Sequence, residues 1–280
     1  MAVMAIEAAR HLAKPGHAVR GYRLRNVRIF SALVVPETPE GVESQIFLRN
    51  AENSRTTGVQ TIECREFNVY VYSDNEWREV CAGSVVTEYE ETPDEVYGAD
   101  ERSLTKDYYQ SMYQQALDRC SATSTQQVFY DAGHKIGYGF GPLFNTLHDL
   151  AYDPEGDQAV AVVKPDEWRG KVPEKNSQVQ PHIIHPTALD GVFQVTAVAT
   201  TKGGTQLGPL QAPTQLRDFW ISHDLIERKP STKLNILAQT TLQAARETDS
   251  FILAINSETG EPAIVIDGYR VTTVSSLSYK

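Results

Sequence analysis

The segment His185-Pro186-Thr187-Ala188-Leu189-Asp190-Gly191-Val192-Phe193-Gln194 places one carboxyl and one amide group inside an otherwise apolar run. The run predicts a helix at 186–200, ended by the sequence Lys202-Gly203-Gly204. Residues four apart share a helix face, so Asp190 and Gln194 point the same way. A carboxyl in apolar surroundings has a raised pKa and stays protonated at higher pH, which suits a general acid. The alternative is a helix N-terminal region with Asp190 in solvent.

The chain repeats a helix followed by strands. Met4-Ala5-Ile6-Glu7-Ala8-Ala9, in a helix predicted at 1–12, matches Thr187-Ala188-Leu189-Asp190-Gly191-Val192. Leu24-Arg25-Asn26-Val27-Arg28-Ile29 matches Leu216-Arg217-Asp218-Phe219-Trp220-Ile221 in the same order. Each match is weak alone, but the shared order indicates two copies of one unit. An apolar helix followed by antiparallel strands is typical of a sheet wrapped around a buried helix.

Alternating apolar residues and turn signals predict the remaining strands. Before the middle of the chain these are 22–35, 63–72 and 77–89, with Asp74-Asn75 as the turn between the last two. The second unit has a strand beginning near Leu216 and two predicted hairpins, 147–152 with 158–163 and 250–256 with 263–274.

The region between the two units is acidic and poor in large apolar residues. Residues 88–107 therefore predict a linker. A short helix at 108–120 and a polar run at 121–127 follow. We expect an α+β chain with a first unit at 1–98, a linker with a short helix at 99–127, and a second unit at 128–280.

Composition excludes several classes of protein. The 280 residues are 41% hydrophobic and 22% charged, which is ordinary for a globular chain. A net charge of -10 argues against binding to nucleic acid or to an anionic membrane surface. The sequence lacks a run typical of a transmembrane helix and the pattern of a secretory signal, so we expect a cytoplasmic protein without membrane contact.

Cysteine spacing and glycine pattern argue against a metal or nucleotide site. Cys64, Cys81 and Cys120 are far apart, so we expect reduced thiols and no metal site. A Gly-rich phosphate-binding loop is also missing from the sequence.

This arrangement resembles the dehydratase domain of fungal highly reducing polyketide synthases, and the resemblance covers nearly the whole chain. The residues from Met4 to Ala9 resemble the start of that family's first helix, and Cys81-Ala82-Gly83 resembles a Gly-containing strand motif. Tyr130, Gly137 and Gly141-Pro142-Leu143-Phe144 resemble the family's Tyr…Gly…Tyr-Gly-Pro-x-Phe segment. The decapeptide that carries Asp190 resembles the family's second catalytic motif.

The resemblance implies a double hotdog, with two antiparallel sheets each wrapped around a long apolar helix. It implies elimination of water from a 3-hydroxyacyl thioester, with Asp190 as general acid and Gln194 as the orienting residue. His185 is a weaker catalytic candidate, against the alternative that it hydrogen-bonds at the helix entry. The residues expected to line a substrate tunnel are Tyr130, Tyr138, Phe140, Gly141, Pro142, Phe144, Pro186 and Leu189.

The resemblance also implies partners but no cofactor. The acyl substrate would be a polyketide intermediate on the phosphopantetheine arm of an acyl carrier protein. Other domains of a polyketide synthase would surround the chain, and two copies would pair as a homodimer.

The chain departs from the family pattern in two places. Phe140 stands where the family has Tyr, so a hydroxyl group is lost. In the family, a His-x-x-x-Gly-x-x-x-x-Pro motif with the catalytic base lies just upstream of the first helix, and this sequence starts at Met1 beyond it. We therefore expect an incomplete first hotdog, with the base supplied by upstream sequence or by a second chain.

Two further hypotheses remain open on the sequence. One is an isomerase or cyclase of the same fold, acting on a polyketide intermediate through Asp190, alone or with His185, without loss of water. The other is a non-catalytic module that binds a synthase or an intermediate.

Overall fold

The structure, a computed structural model, describes residues 1–36, 38, 41–51, 63–90, 97–172 and 181–274, with the backbone alone for 97–102. The helices are α1 (Ala2–His11), α2 (Tyr97–Arg119), α3 (Gln126–Ile136) and α4 (Pro186–Thr200), with short 3-10 helices at Pro142–Phe144, Glu167–Lys171 and His223–Glu227. The strands are β1 (Val19–Ile29), β2 (Ser44–Asn50), β3 (Glu63–Ser73), β4 (Glu76–Tyr89), β5 (Ala122–Thr123), β6 (Leu147–Tyr152), β7 (Gln158–Val163), β8 (Gln211–Ser222), β9 (Leu234–Gln243), β10 (Glu247–Asn256) and β11 (Pro262–Thr273).

These strands form one continuous antiparallel sheet in the order β2-β3-β4-β1-β8-β11-β10-β9-β7-β6-β5. The sheet around α1 and the sheet around α4 are continuous, because β1 and β8, the strands that follow α1 and α4, hydrogen-bond to each other. One ion pair crosses this junction, from Arg23 of β1 to Asp218 of β8 at 2.8 Å, while Arg23 also pairs with Glu88 of β4 on its other side at 2.7 Å.

The pairing of β1 with β8 is symmetric. Leu24 lies opposite Phe219, and Val27 lies opposite Leu216. The sequence match equates Leu24 with Leu216 and Val27 with Phe219. Leu24 therefore lies opposite the equivalent of Val27, and Val27 lies opposite the equivalent of Leu24. A local twofold axis between the two strands produces this relation, and it supports the duplication inferred from the sequence.

The two apolar helices each cover one half of the sheet. α1 packs against β1, β2 and β4, and α4 packs against β6, β7, β9 and β10. Fully buried side chains of both helices, such as Ile6 and Val195, belong to the same core cluster as Leu24 and Phe219. The predicted helix at 186–200 is confirmed at both ends.

A hydrogen bond joins the two halves near the start of α4. Glu7 of α1 accepts from the backbone N–H of Ile183 at 2.8 Å through Oε1. Its other carboxylate oxygen pairs with Arg10 at 2.7 Å. The segment that leads into α4 is therefore held by a side chain of α1.

The region predicted as a linker is mostly ordered structure, which corrects the sequence-based prediction. Residues 88–89 end β4 and α2 begins at Tyr97, well before the short helix expected at 108–120; residues 91–96 lie outside the described part. The C-terminal half of α2 packs on β7, β9 and β10, where Ala116 and Cys120 join a small cluster with Leu237. The first turns of α2 are polar, so the sequence lacks the apolar stripe that would have shown them to be helical.

Other bounds differ by a few residues. β1 ends at Ile29 rather than at 35, because Phe30 makes the last pairing hydrogen bond, to Val80, and the chain then runs exposed. β8 begins at Gln211, before the expected start near Leu216. β2, β9 and α3 were not predicted. The Asp74-Asn75 turn and both predicted hairpins of the second half are confirmed.

The domain boundaries stay a prediction.

Within the ranges given above, no helix combines the length and apolarity needed to cross a lipid bilayer. In those same ranges, no three His, Cys, Asp or Glu side chains cluster in a way that would hold a metal ion.

Candidate active site

Asp190 lies in the second turn of α4 as the one charged residue of that helix, all of which is described. Its helical neighbours Leu189, Gly191 and Val192 are buried. Burial raises the pKa of the Asp190 carboxyl above its ordinary value of 3.8, against the opposing effect of a hydrogen bond from Gln194. The surroundings therefore favour the protonated acid more than water does.

Gln194 fixes the orientation of the Asp190 carboxyl. Its Nε2 donates to Asp190 Oδ2 at 2.6 Å and to the carbonyl of Phe144 at 3.0 Å. Its Oε1 accepts from the hydroxyl of Tyr130 at 2.8 Å. Gln194 is only 6% exposed, so its amide is held by these three partners. Among the described residues, Asp190 Oδ1 has no hydrogen-bond partner.

Tyr130 anchors this network to the backbone. Its hydroxyl oxygen accepts from the N–H groups of Thr146 at 3.0 Å and Leu147 at 3.2 Å. Its single phenolic proton has two acceptors within reach, Gln194 Oε1 at 2.8 Å and the Phe144 carbonyl at 3.3 Å, and the contact with Gln194 is the shorter. Burial raises the pKa of Tyr130 to about 12, so it remains a donor. α3 brings Tyr130 here and ends at Gly137, whose φ of 104° suits glycine.

Two more aromatic rings extend from Tyr130. Phe140 meets Tyr130 edge-on with ring centroids 5.7 Å apart, and Tyr138 stacks on Phe140 at 5.2 Å. The Tyr138 hydroxyl donates to the carbonyl of Gln211 at 2.8 Å and accepts from its N–H at 3.0 Å. Three rings therefore form a wall from the Gln194 amide to the start of β8.

Gly191 allows α4 to approach the segment before β6. A Cβ at this position would clash with the side-chain oxygen of Thr146 and would lie 3.2 Å from Cγ2 of Val163. The absence of a side chain at 191 therefore brings the turn that carries Asp190 close to the backbone that anchors Tyr130.

The part of the chain that carries this network matches a known protein family. Residues 109–278, more than half of the chain, match the model of the polyketide synthase dehydratase N-terminal domain. The chain belongs to this dehydratase family.

The most similar sequences in this dehydratase family include two fungal proteins. Highly reducing polyketide synthase 40 of Fusarium mangiferae is 31% identical over 98% of this chain, and highly reducing polyketide synthase NEC1 of Pyricularia oryzae is 26% identical over 98%. The chain spans only 11% and 10% of the length of these two relatives.

Solved structures of bacterial dehydratase domains share the fold. A trans-AT polyketide synthase dehydratase domain from Brevibacillus brevis aligns with a TM-score of 0.69 and 16% identity, over 98% of this chain and 84% of that one. The dehydratase domain from the CurK module of curacin polyketide synthase aligns with a TM-score of 0.66 and 17% identity, over 98% and 81%.

The structure brings together part of the set of residues expected from the dehydratase resemblance. Asp190, Gln194 and Tyr130 form one hydrogen-bonded chain, and Phe144 contributes its carbonyl rather than its ring. Gly141 accepts a hydrogen bond from the Phe144 N–H at 2.9 Å, which shapes the turn before β6. The catalytic roles themselves stay predictions.

The other residues expected to line a tunnel have local structural roles in this chain. Pro142 begins the 3-10 helix that places Phe144, and Pro186 is the exposed first residue of α4. Leu189 is buried in the core, with 4% of its surface exposed.

His185 caps the helix that carries Asp190. Its Nδ1 accepts from the Thr187 N–H at 3.3 Å, and its ring stacks on Trp168 at 4.2 Å. Burial, followed by the charges of His182, Arg169 and Arg228, lowers the pKa of His185 to about 4. Neutral His185 therefore has a clear structural role, and its catalytic role stays a prediction.

A cavity of about 270 Å³ lies at the C-terminal end of α4. Its lining includes Tyr138 of the aromatic wall and Ala197, and contains no charged side chain. Ala197 follows Asp190 by two helical turns on the same face, a rise of roughly 10 Å. The cavity is smaller than most ligand sites, and its neutral lining suits an uncharged chain better than a phosphate.

Two residues near the Asp190 turn of α4, Phe193 and Tyr269, were not predicted from the sequence. Phe193 follows Asp190 by three positions, so helical spacing could have revealed it. Tyr269 of β11 stacks on Phe193 with ring centroids 4.7 Å apart. No sequence signal points to Tyr269, because its position depends on the order of strands in the sheet.

Proposed function

We propose that this chain is the dehydratase domain of a reducing polyketide synthase and removes water from a 3-hydroxyacyl thioester. The observation that supports this most directly is Asp190, a buried carboxyl with a raised pKa whose orientation Gln194 fixes and whose second oxygen is available. Membership of the dehydratase family gives the reaction class.

The reaction requires one acid and one base. A base removes the α proton, the electron pair forms the α,β double bond, and the bond between the β carbon and its oxygen breaks. Asp190 gives its proton to the departing oxygen, so water leaves and Asp190 becomes a carboxylate. Histidine is the usual base for an α proton, but no described histidine contacts the Asp190 carboxyl. The base half of the reaction therefore needs a group outside the described contacts.

We propose that α1 and α4, each with its part of the sheet, are two hotdog units joined through β1 and β8. The symmetric pairing of Leu24 with Phe219 and of Val27 with Leu216 supports this. The likeness to bacterial dehydratase domains supports it as well.

The partners follow from the chemistry of the substrate. An acyl carrier protein would present the acyl chain on its phosphopantetheine arm, and other domains of the same synthase would extend and reduce it. The α4 N-terminus is the more suitable end for the arm, because the helix dipole is positive there and Arg169 and Arg228 lie near its N-cap residue His185. The acyl chain would then run along α4 toward the neutral cavity. Pairing of two copies is part of the same proposal, and the chemistry needs no cofactor.

The test is a mass measurement on the acyl group. A 3-hydroxyacyl thioester on a carrier protein is incubated with the wild-type chain, alone and within the longest natural protein that contains it. Asp190→Asn should lower the rate by roughly 10²- to 10⁴-fold, the usual contribution of one acid or base. The exposed turn variant Asp74→Asn is the matched control and should retain full activity.

Each outcome decides the proposal. Loss of one water with the wild type and Asp74→Asn, but not with Asp190→Asn, supports it. An altered product of unchanged mass would indicate an isomerase or cyclase instead. An unchanged acyl group in both settings would contradict the proposal and favour a binding module.

A further inference from the structure

Tyr269 reaches the inner face of the sheet through a bulge in β11. Ser250 pairs with Tyr269 and Phe251 with Asp267, so Gly268 is the extra residue in β11. Gly268 has a φ of 81°, in the region that favours glycine. The bulge shifts the alternation of the strand, so that Tyr269 joins the core cluster that contains α4. Bulges often direct a side chain toward an active site in this way.

The Tyr269 ring lies against the helix turn that carries Asp190. It stacks on Phe193 with the ring planes 8° apart, and Phe193 is one helical turn beyond Asp190 on the same face. The charge of Asp190 contributes to the pKa shift of Tyr269, so the two groups are within electrostatic reach. Tyr138 of the aromatic wall also contributes, and Tyr269 is therefore near both the acid and the wall.

The Tyr269 hydroxyl makes no hydrogen bond to the described part of the chain. Tyr269 as a whole is only 5% exposed. The hydroxyl oxygen is not among the fully buried unpaired atoms, so a ligand can reach it. Burial, with the nearby carboxyl, raises the pKa of Tyr269 well above its ordinary value, so the phenol keeps its proton.

The Asp190 carboxyl also has one oxygen atom without a hydrogen-bond partner among the described residues. This atom is Oδ1, since Oδ2 accepts from Gln194. An unpaired hydroxyl on Tyr269 and an unpaired oxygen on Asp190 thus belong to side chains that lie at neighbouring turns of α4, since Tyr269 stacks on Phe193. A ligand with a hydroxyl group can satisfy both groups at once.

We propose that Tyr269 donates a hydrogen bond to the β-oxygen of the acyl substrate while Asp190 Oδ1 holds the proton that this oxygen receives. The inference rests on the proposed dehydratase function. Tyr269 remains protonated throughout. As the bond from carbon to oxygen breaks, the hydrogen bond from Tyr269 stabilises the charge that gathers on oxygen, and Asp190 completes the transfer of its proton.

The test removes the hydroxyl and keeps the ring. Tyr269→Phe retains the stack on Phe193 but cannot donate. Dehydration should slow by roughly 10- to 100-fold, the loss expected for one hydrogen bond to a group that carries charge. Tyr113→Phe, a tyrosine on α2 across the sheet whose pKa burial also raises to about 12, is the control and should match the wild type.

A binding measurement separates this role from simple packing. The wild type and Tyr269→Phe are each titrated with a saturated acyl pantetheine, which lacks the β-oxygen, and with its 3-hydroxy counterpart. Tyr269→Phe should bind the saturated probe as the wild type does and lose affinity for the hydroxylated probe alone. Urea unfolding of each variant confirms that it folds.

The outcomes separate this inference from the proposed function. Equal weakening for both probes would mean that Tyr269 only shapes the pocket, and the inference would be wrong. An active wild type with an equally active Tyr269→Phe would also overturn the inference while leaving the dehydratase function intact. A wild type that neither dehydrates nor binds the 3-hydroxy probe would overturn the function, and the inference with it.

Discussion

Gln194 holds Asp190 from one helical turn away, with its Nε2 2.6 Å from Asp190 Oδ2. The same amide accepts a hydrogen bond from Tyr130 through its other end, so Tyr130 determines which end of Gln194 faces the carboxyl. The protonation of Asp190 and the anchoring of Tyr130 are therefore linked through one side chain.

Replacing Gln194 by leucine should change the pH profile of dehydration. The hydrogen bond from Gln194 favours the carboxylate and lowers the pKa of Asp190 against the effect of burial. In Gln194→Leu that pKa should rise, so Asp190 should remain protonated to higher pH. The high-pH limb of kcat/KM should move upward, and the free energy of unfolding should fall by about 1–3 kcal/mol, because Tyr130 loses its acceptor. Gln115→Leu on the exposed face of α2 is the control, and an unshifted limb would contradict the prediction.

Asp190→Asn should alter how stability depends on pH. Because the folded-state pKa of Asp190 is raised above 3.8, its contribution to stability is complete below that pH and is lost as pH rises through the folded value. Asparagine does not titrate, so Asp190→Asn does not lose stability in this pH range through residue 190. Relative to the wild type, Asp190→Asn should therefore gain stability as pH rises toward neutral. Urea unfolding across this range measures the difference, and a constant difference would show that the carboxyl is not perturbed by folding.

Gly191→Ala should destabilise the protein, although alanine favours helices over glycine by about 1 kcal/mol. The added methyl group would overlap the side-chain oxygen of Thr146, and we expect a net loss of about 1–3 kcal/mol. The Thr146 hydroxyl is buried without a partner, so Thr146→Ala should cost little and should rescue part of the loss in the double variant. Thermal unfolding of the four proteins tests this, and additive effects would show that the two sites do not touch.

His185→Asn should reduce the sensitivity of stability to acid. The pKa of His185 is lowered from 6.5 to about 4, so its contribution is present above 6.5 and is lost as pH falls toward 4. The groups that face it are the ring of Trp168, His182, Arg169, Arg228 and Asp166. Asn also caps helices well but does not titrate. The wild type should lose more stability than His185→Asn over this interval, and parallel unfolding curves would rule out the effect.

The sequence could predict features that depend on local spacing. The Asp190 and Gln194 pair needed only a helix, and the turn at Asp74 and Asn75 needed only residues that tolerate positive φ, which are 54° and 64° in the structure. The pairing of Asp190 with Gln194 followed from the spacing of four residues, and the hydrogen bond between them agrees with it.

Features that depend on strand order were not predictable. Tyr269 reaches the site because β11 lies beside β8 and because Gly268 shifts the alternation, and neither fact is visible in one sequence. The single continuous sheet was missed for the same reason. The first turns of α2 were missed because their residues are polar and lack an apolar stripe.

The hydrogen bond from the Ile183 N–H to Glu7 shows how the two copies of the repeat have diverged. Glu7 occupies the position in α1 that Asp190 occupies in α4, according to the sequence match. The Asp190 carboxyl keeps one oxygen without a partner among the described residues, whereas the Glu7 carboxyl holds the backbone that leads into the helix of the other copy. If the two helices began as equal copies, α1 now holds in place the segment that leads into α4. Selection on Glu7 would therefore act through the geometry at Asp190, so substitutions at these two distant positions should not be independent.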